Sequence, residues 1–294
     1  MDNQYISEII SLINNSNLKL IKPKVRSLVI NNEGINCSEG IVTDNLLPHT
    51  EKQFLCSFNV INMILFSLYD EWVVEKFNLS EGDSFSSHCD ALPQNTNLEI
   101  IEKNCYRVLK IIRNGIIHNL SGINLSQNDY DINYKNNRDK TFSCNISQIG
   151  LRLLYSIIVM FATGDCGIPT EGHFEYVVST LYAQLLGEIN NVKDEFDEDL
   201  FPVTTKNTFY YTVRYEVSNC LVQSETDYLI VKCFQDYPEM NQGHDYKISY
   251  NGATYLIPGE IIGVTKDDNY KVNINLLTKE WVLRFTKEEI LENV

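Results

Sequence analysis

No two of the eight cysteines among the 294 residues stand in a C-x2-C pair. The usual signature of a structural zinc site or a dithiol redox centre is therefore missing. Several cysteines, Cys56 and Cys233 among them, lie in apolar runs, where a free thiol behaves as a small core hydrophobe. His88-Cys89-Asp90 is the one local cluster of ligand-type residues, and adjacent residues rarely converge on one metal. Neither a metal nor a cofactor is expected. Seven Pro and fourteen Gly are too few for a fibrous or extensively disordered chain. Positive charge is also scarce: 24 Lys and Arg face 39 Asp and Glu, a net charge of −15. That balance excludes a broad nucleic-acid-binding face, so any RNA contact has to be a local patch. It also disfavours anionic membranes. The longest uncharged stretch, Phe54 to Tyr69, contains Asn59 and Asn62 and is too short for a bilayer span. The first residues lack the basic start and apolar core of a signal peptide, so a cytoplasmic protein with reduced thiols and no membrane partner is expected. No P-loop, G-x-S-x-G or G-x-G-x-x-G pattern occurs.

What remains is a composition of the ordinary globular kind, 44% hydrophobic and 21% charged, in a chain long enough for two unequal domains. Its character changes near residue 195. Before that point, apolar residues recur at helical spacing. Gln4–Leu20, Glu51–Phe77 (with Thr50 as N-cap), Asn97–Leu120, Ile146–Ala162 and Glu171–Ile189 read as helices. Residues 22–48 are punctuated by Pro23, Gly34, Gly40 and Pro48 and enclose a short strand at Val25–Ile30. Ser121 to Asp139, rich in Asn and Asp, reads as a polar loop. The acidic run Lys193–Asp199, followed by Pro202, reads as a solvated linker. Beyond it, Phe209, Tyr211, Val213, Tyr215 and Val217 alternate with polar partners, and Tyr228–Phe234 is a second strand. Asn251-Gly252 between Tyr246–Tyr250 and Thr254–Leu256 is a strong hairpin signal, because both turn positions need positive φ. Ile261–Val264, Tyr270–Leu276 and Trp281–Phe285 complete the strand-like segments. The expected fold is α+β in two domains: an all-α bundle over 1–195 and a small antiparallel sheet or barrel over 200–294.

The helix from Asn97 carries the chemistry. At about 100° per residue, Ile101, Cys105, Val108, Leu109, Ile112 and Ile116 share one face, and Lys103, Arg107, Lys110, Asn114 and His118 the other. The cations supply the local basic stripe that an acidic RNA-binding protein would need. Arg113 and His118 are five positions apart, so a straight helix separates them by about 140°. Either Gly115 loosens the helix, or a two-fold dimer brings Arg113 of one subunit to His118 of the other. Such a pair can cleave RNA without a metal: the imidazole moves a proton at the ribose 2′-hydroxyl or the leaving 5′-oxygen, and the guanidinium steadies the phosphate. Arg152, on a different helix, is a candidate for an internal ion pair or an extension of the stripe.

Arg113-Asn114-Gly115-Ile116-Ile117-His118-Asn119, on a long helix flanked by others, resembles the R-x4-H signature of HEPN domains, in the form found in prokaryotic toxin and phage-defence proteins. The resemblance covers roughly residues 1–195 and implies a dimeric helical bundle acting as an endoribonuclease. It implies catalytic roles for Arg113, His118 and Asn114, with Lys103, Arg107, Lys110 and Asn119 contacting single-stranded RNA. A homodimer, and an antitoxin or regulatory protein restraining the nuclease, are the expected partners. The alternatives are a non-catalytic HEPN protein that binds a nucleotide or a protein, and a scaffold in which Arg113 and His118 only stabilise the bundle.

Overall fold

The structure is a computed structural model describing residues 4–14, 18, 20–31, 34–38, 51–80, 82–118, 120–126, 128–136, 138–203, 208–209, 213–218, 220–232, 243–264 and 270–283. In chain order the elements begin with α1 (Gln4–Asn14), β1 (Lys24–Asn31), β2 (Gly34–Ser38), α2 (Glu51–Phe77), α3 (Phe85–Ala91) and α4 (Asn97–His118). A hairpin and a third strand follow, β3 (Ile123–Ser126), β4 (Asp129–Lys135) and β5 (Thr141–Ser147), then α5 (Gln148–Thr163), α6 (Glu171–Gly187) and β6 (Ile189–Lys193). The last elements are β7 (Val213–Ser218), β8 (Leu221–Ser224), β9 (Tyr228–Lys232), β10 (His244–Tyr250), β11 (Ala253–Pro258), β12 (Gly263–Val264) and β13 (Tyr270–Asn273). No helix among the described residues is long and apolar enough to cross a membrane.

The chain is α+β, but its two compact units are not separated by a single cut. One unit comprises 1–21, 46–164 and 178–206; the other comprises 22–45, 165–177 and 207–294. The first unit is not all-α. Its helices pack beside a four-stranded antiparallel sheet of order β3-β4-β5-β6. The segment expected to be a polar loop is half of that sheet. Tyr130, Ile132 and Tyr134 are buried and alternate with exposed Asp131, Asn133 and Lys135, the period of a one-sided strand. Ile146, expected to open a helix, lies in β5 instead, and the helix begins after Ser147, which caps α5 by accepting from the Gly150 amide at 2.9 Å. Gly164, at φ 67°, ends that helix in the left-handed conformation. The core between the helices is aromatic: Tyr69 stacks on Trp72 at 5.3 Å, and Trp72 meets Phe161 at 5.5 Å.

In the second unit the expected small antiparallel sheet is two sheets. One, of order β11-β10-β7-β1-β2, is mixed, since β7 runs parallel to both β1 and β10. The other, β12-β13-β9-β8, is antiparallel. Leu229, Val231, Ile248, Ile257 and Val272 fill the core with Trp281. The Asn251-Gly252 hairpin forms as its sequence demands, with φ of 49° and 80° and Tyr250 opposite Ala253. Trp281 ends a short 3-10 turn, Lys279–Trp281, rather than opening a strand. Thr50 lies outside the described residues.

Candidate functional site

The motif helix α4 starts with a capping box. Thr96 Oγ1 accepts from the Glu99 amide at 3.3 Å, and Glu99 Oε2 accepts from the Thr96 amide at 3.1 Å. From there the helix runs unbroken to His118. Gly115 is not a kink. A Cβ built at that position would lie 2.7 Å from Ile132 Cγ2 on β4, so the missing side chain lets helix and sheet close together.

The basic stripe expected on α4 to contact RNA is corrected by the structure. Arg107 and Lys110 are 1% and 2% exposed, and the acidic run read as a linker is what covers them. Arg107 grips Asp194 with Nε at 2.6 Å and Nη2 at 3.1 Å, and donates to the carbonyls of Glu198 and Asp199 at 2.6 and 3.3 Å. Lys110 pairs with Glu195, and the Phe196 ring spans Lys103, Arg107 and Lys110 at 5.4, 5.2 and 5.7 Å. Lys103 also donates to the Leu92 carbonyl at 3.2 Å. Arg107 and Lys103 therefore serve the fold. Buried cations are tolerated only when paired and hydrogen-bonded, and Asp194, itself fully buried, meets that need.

Arg113 and His118 stand on different cavities of the same unit. Arg113 is half-buried and lines a cavity of about 290 Å³ with Tyr5, Phe66, Asp70, Glu71 and Phe85. Its guanidinium lies over Phe85 at 4.8 Å, and Nη1 donates to Asn114 Oδ1 at 2.9 Å. Beside it, Asp70 accepts from the Tyr106 hydroxyl and from His88 Nδ1, the latter at 2.9 Å; His88 Nε2 donates to the Ser80 carbonyl at 3.0 Å. Two acceptors, one per ring nitrogen, call for an imidazolium. Burial opposes that charge, but the Asp70 and Ser80 hydrogen bonds and the nearby Asp70 and Asp83 carboxylates outweigh it, so the His88 pKa is raised.

His118 is exposed at the end of α4 and opens on a larger cavity, about 560 Å³, with Lys110, Asn114, Tyr134, Arg138 and Glu195. Its ring centroid is 6.4 Å from that of Tyr134. Asn114 Nδ2 donates to the Tyr134 hydroxyl at 3.3 Å. Burial pushes that phenol up to about 12, so it stays neutral. Among the described residues, neither the His118 ring nor the Arg138 guanidinium has a hydrogen-bond or ion-pair partner. The volume falls within the usual range of small-molecule sites. Asn119 lies outside the described residues.

Of the sequence-predicted set, His118, Asn114 and Lys110 share one cavity, while Arg113 touches it only through Asn114. Tyr134 and Arg138 were missed, because both fall in the segment read as a loop. The signal was the alternation Tyr130-Asp131-Ile132-Asn133-Tyr134, outweighed there by the Asn and Asp content. Arg152 is buried, with no carboxylate partner among the described residues, and burial lowers its pKa. No group of three or more His, Cys, Asp and Glu among the described residues is placed to hold a metal. Cys89, Cys105, Cys144, Cys166 and Cys220 are free thiols; Cys89, Cys144 and Cys166 are buried, and their pKa values are raised to about 11, 12 and 11, mainly by that burial. No protein-family model, curated protein or solved structure matches the chain.

Proposed function

We propose that the chain is a metal-independent endoribonuclease of HEPN type, acting through His118 on single-stranded RNA as a toxin or defence effector. The observation that carries this reading is an exposed His118, with no hydrogen-bond or ion-pair partner among the described residues, on a cavity it shares with Asn114 and Arg138. In the reaction the ribose 2′-hydroxyl loses its proton and its oxygen attacks the adjacent phosphorus. The P–O5′ bond breaks and the 5′-oxygen takes up a proton, leaving a 2′,3′-cyclic phosphate and a 5′-hydroxyl. His118 accepts the first proton or donates the second. A homodimer would supply a second His118 for the other transfer, and an antitoxin would restrain the enzyme in its host.

The test uses end-labelled single-stranded RNA in the presence of a chelator, with wild type and His118→Ala side by side. Cleavage by wild type that leaves cyclic-phosphate ends and falls by about a hundredfold or more in the variant supports the reading. Equal cleavage by both proteins, or none by wild type, removes it. A second reading, a nucleotide-binding protein without turnover, is favoured by the internal saturation of Arg107 and Lys110, which leaves little cationic surface for a long RNA. Saturable mononucleotide binding without cleavage would decide for it.

A further inference from the structure

A phosphodiester in the His118 cavity would call for a cation beside it, and the motif arginine does not stand there. Arg113 faces the cavity that contains Asp70 and Glu71, with its guanidinium over Phe85 and one nitrogen donating to Asn114. Lys110 lines the His118 cavity but is 2% exposed and paired with Glu195. Arg138 lines it too, from the turn between β4 and β5.

That turn is built to hold its shape. Asn136 Oδ1 accepts from the amides of Arg138 at 2.9 Å and Lys140 at 3.0 Å. The Asn136 amide donates to the Lys140 carbonyl at 3.0 Å, and the Asp139 amide donates to the Asn136 carbonyl at 3.0 Å. Asp139 takes the left-handed conformation, φ 59°, that closes the turn. Lys140 ties the turn to the acidic segment through the Glu195 carbonyl at 3.1 Å. Arg138 is thus carried on a braced turn, with its guanidinium fork unspent.

We propose that Arg138 is the phosphate-binding cation of the His118 cavity and that Arg113 is a positioning residue. Arg113 holds Asn114 Oδ1 while Asn114 Nδ2 holds the Tyr134 hydroxyl, and this fixes the wall beside which His118 sits. The inference rests on the reading that this cavity takes a phosphodiester. Asp90, exposed on the same cavity, opposes an anion there, so neutralising it strengthens binding where neutralising Arg138 weakens it.

The experiment follows the His118 C2 proton and the Asn114 side-chain amide by NMR in the full chain while inorganic phosphate is added. A parallel arm measures kcat and KM on single-stranded RNA. The expected result is a saturable shift of His118 in wild type. It is about tenfold weaker in Arg138→Gln, stronger in Asp90→Asn, and within about threefold of wild type in Arg113→Gln. The Asn114 amide moves in Arg113→Gln, returns towards its wild-type position in Arg113→Lys, and stays put in Arg138→Gln. On RNA, Arg138→Gln raises KM and Arg113→Gln lowers kcat. A wild-type His118 that ignores phosphate, or responds equally in Arg138→Gln, overturns the proposal. So does loss of the phosphate response in an Arg113→Gln protein with an unchanged melting temperature. If phosphate binds through Arg138 but wild type leaves RNA intact, the subsite stands and the nuclease reading falls.

Discussion

Arg107 and Asp194 form a two-pronged ion pair, 2.6 and 3.1 Å, in which neither side chain is more than 1% exposed. The pair binds the acidic segment to the motif helix and removes one cation of the expected RNA-binding stripe. Breaking such a pair leaves one buried charge without its partner. Arg107→Leu or Asp194→Leu should each cost about 3–5 kcal/mol in urea unfolding, and the double variant should cost less than the sum of the two, though the Glu198 and Asp199 carbonyls lose their donor in it. Single variants within about 1 kcal/mol of wild type would show that the segment is a solvated connector after all.

Gly115 allows α4 to approach β4 so closely that a methyl group there would meet Ile132 Cγ2 at 2.7 Å. Alanine gains about 1 kcal/mol of helix propensity over glycine, but overpacking costs about 1–3 kcal/mol. Gly115→Ala should therefore destabilise the wild-type background and become neutral or stabilising once Ile132 is Ala. A double-mutant cycle by chemical denaturation measures the coupling. An identical effect in both backgrounds would mean that Ile132 does not set the spacing.

The same two elements show how far the sequence could be read. The helical period of Asn97–Leu120 and the Asn251-Gly252 turn are local signals, and α4 and the β10–β11 hairpin follow them closely. The partner of Arg107 is not a local signal: Asp194 lies 87 positions away, in a run whose composition reads equally well as a solvated tether. The parallel pairing of β1 with β7 is likewise set by contacts between distant stretches, which no window of sequence contains. At the site, His118 and Asn114 were visible because a motif marks them. Arg138 and Tyr134 were hidden because turn-forming residues dominate their segment and conceal a period of two.

His88 offers a test that needs no substrate. Its folded pKa is raised by the Asp70 and Ser80 contacts in spite of burial. A raised value means that its contribution to stability is complete below the unfolded pKa, about 6.5, and is lost as pH rises through the folded one. The stability difference between wild type and His88→Gln should accordingly shrink as pH is raised from the acid side past neutrality. The NMR titration midpoint of His88 should lie above 6.5. A midpoint below that value would mean that burial, not Asp70, controls the ring.

Asp245 in the second unit has the opposite sign. It accepts from His173 Nε2 at 3.1 Å and from Arg214 Nη2 at 2.6 Å, and Arg214 also grips Glu260. Burial alone would raise the Asp245 pKa, but His173 and Arg214 outweigh it and hold the carboxyl at about 2. A depressed value gives stability that is present above the unfolded pKa, about 3.9, and drains away as pH falls through the folded one. Acid unfolding of this unit should thus steepen between about pH 4 and pH 2. Asp245→Asn should remove that steepening and lower stability at neutral pH, because Arg214 keeps only Glu260 as a charged acceptor and His173 loses an anion. Because two cationic or proton-donating side chains share this one carboxylate, Glu260→Gln should cost less than Asp245→Asn. The reverse order in urea midpoints would place the anchor of the network on Glu260 instead.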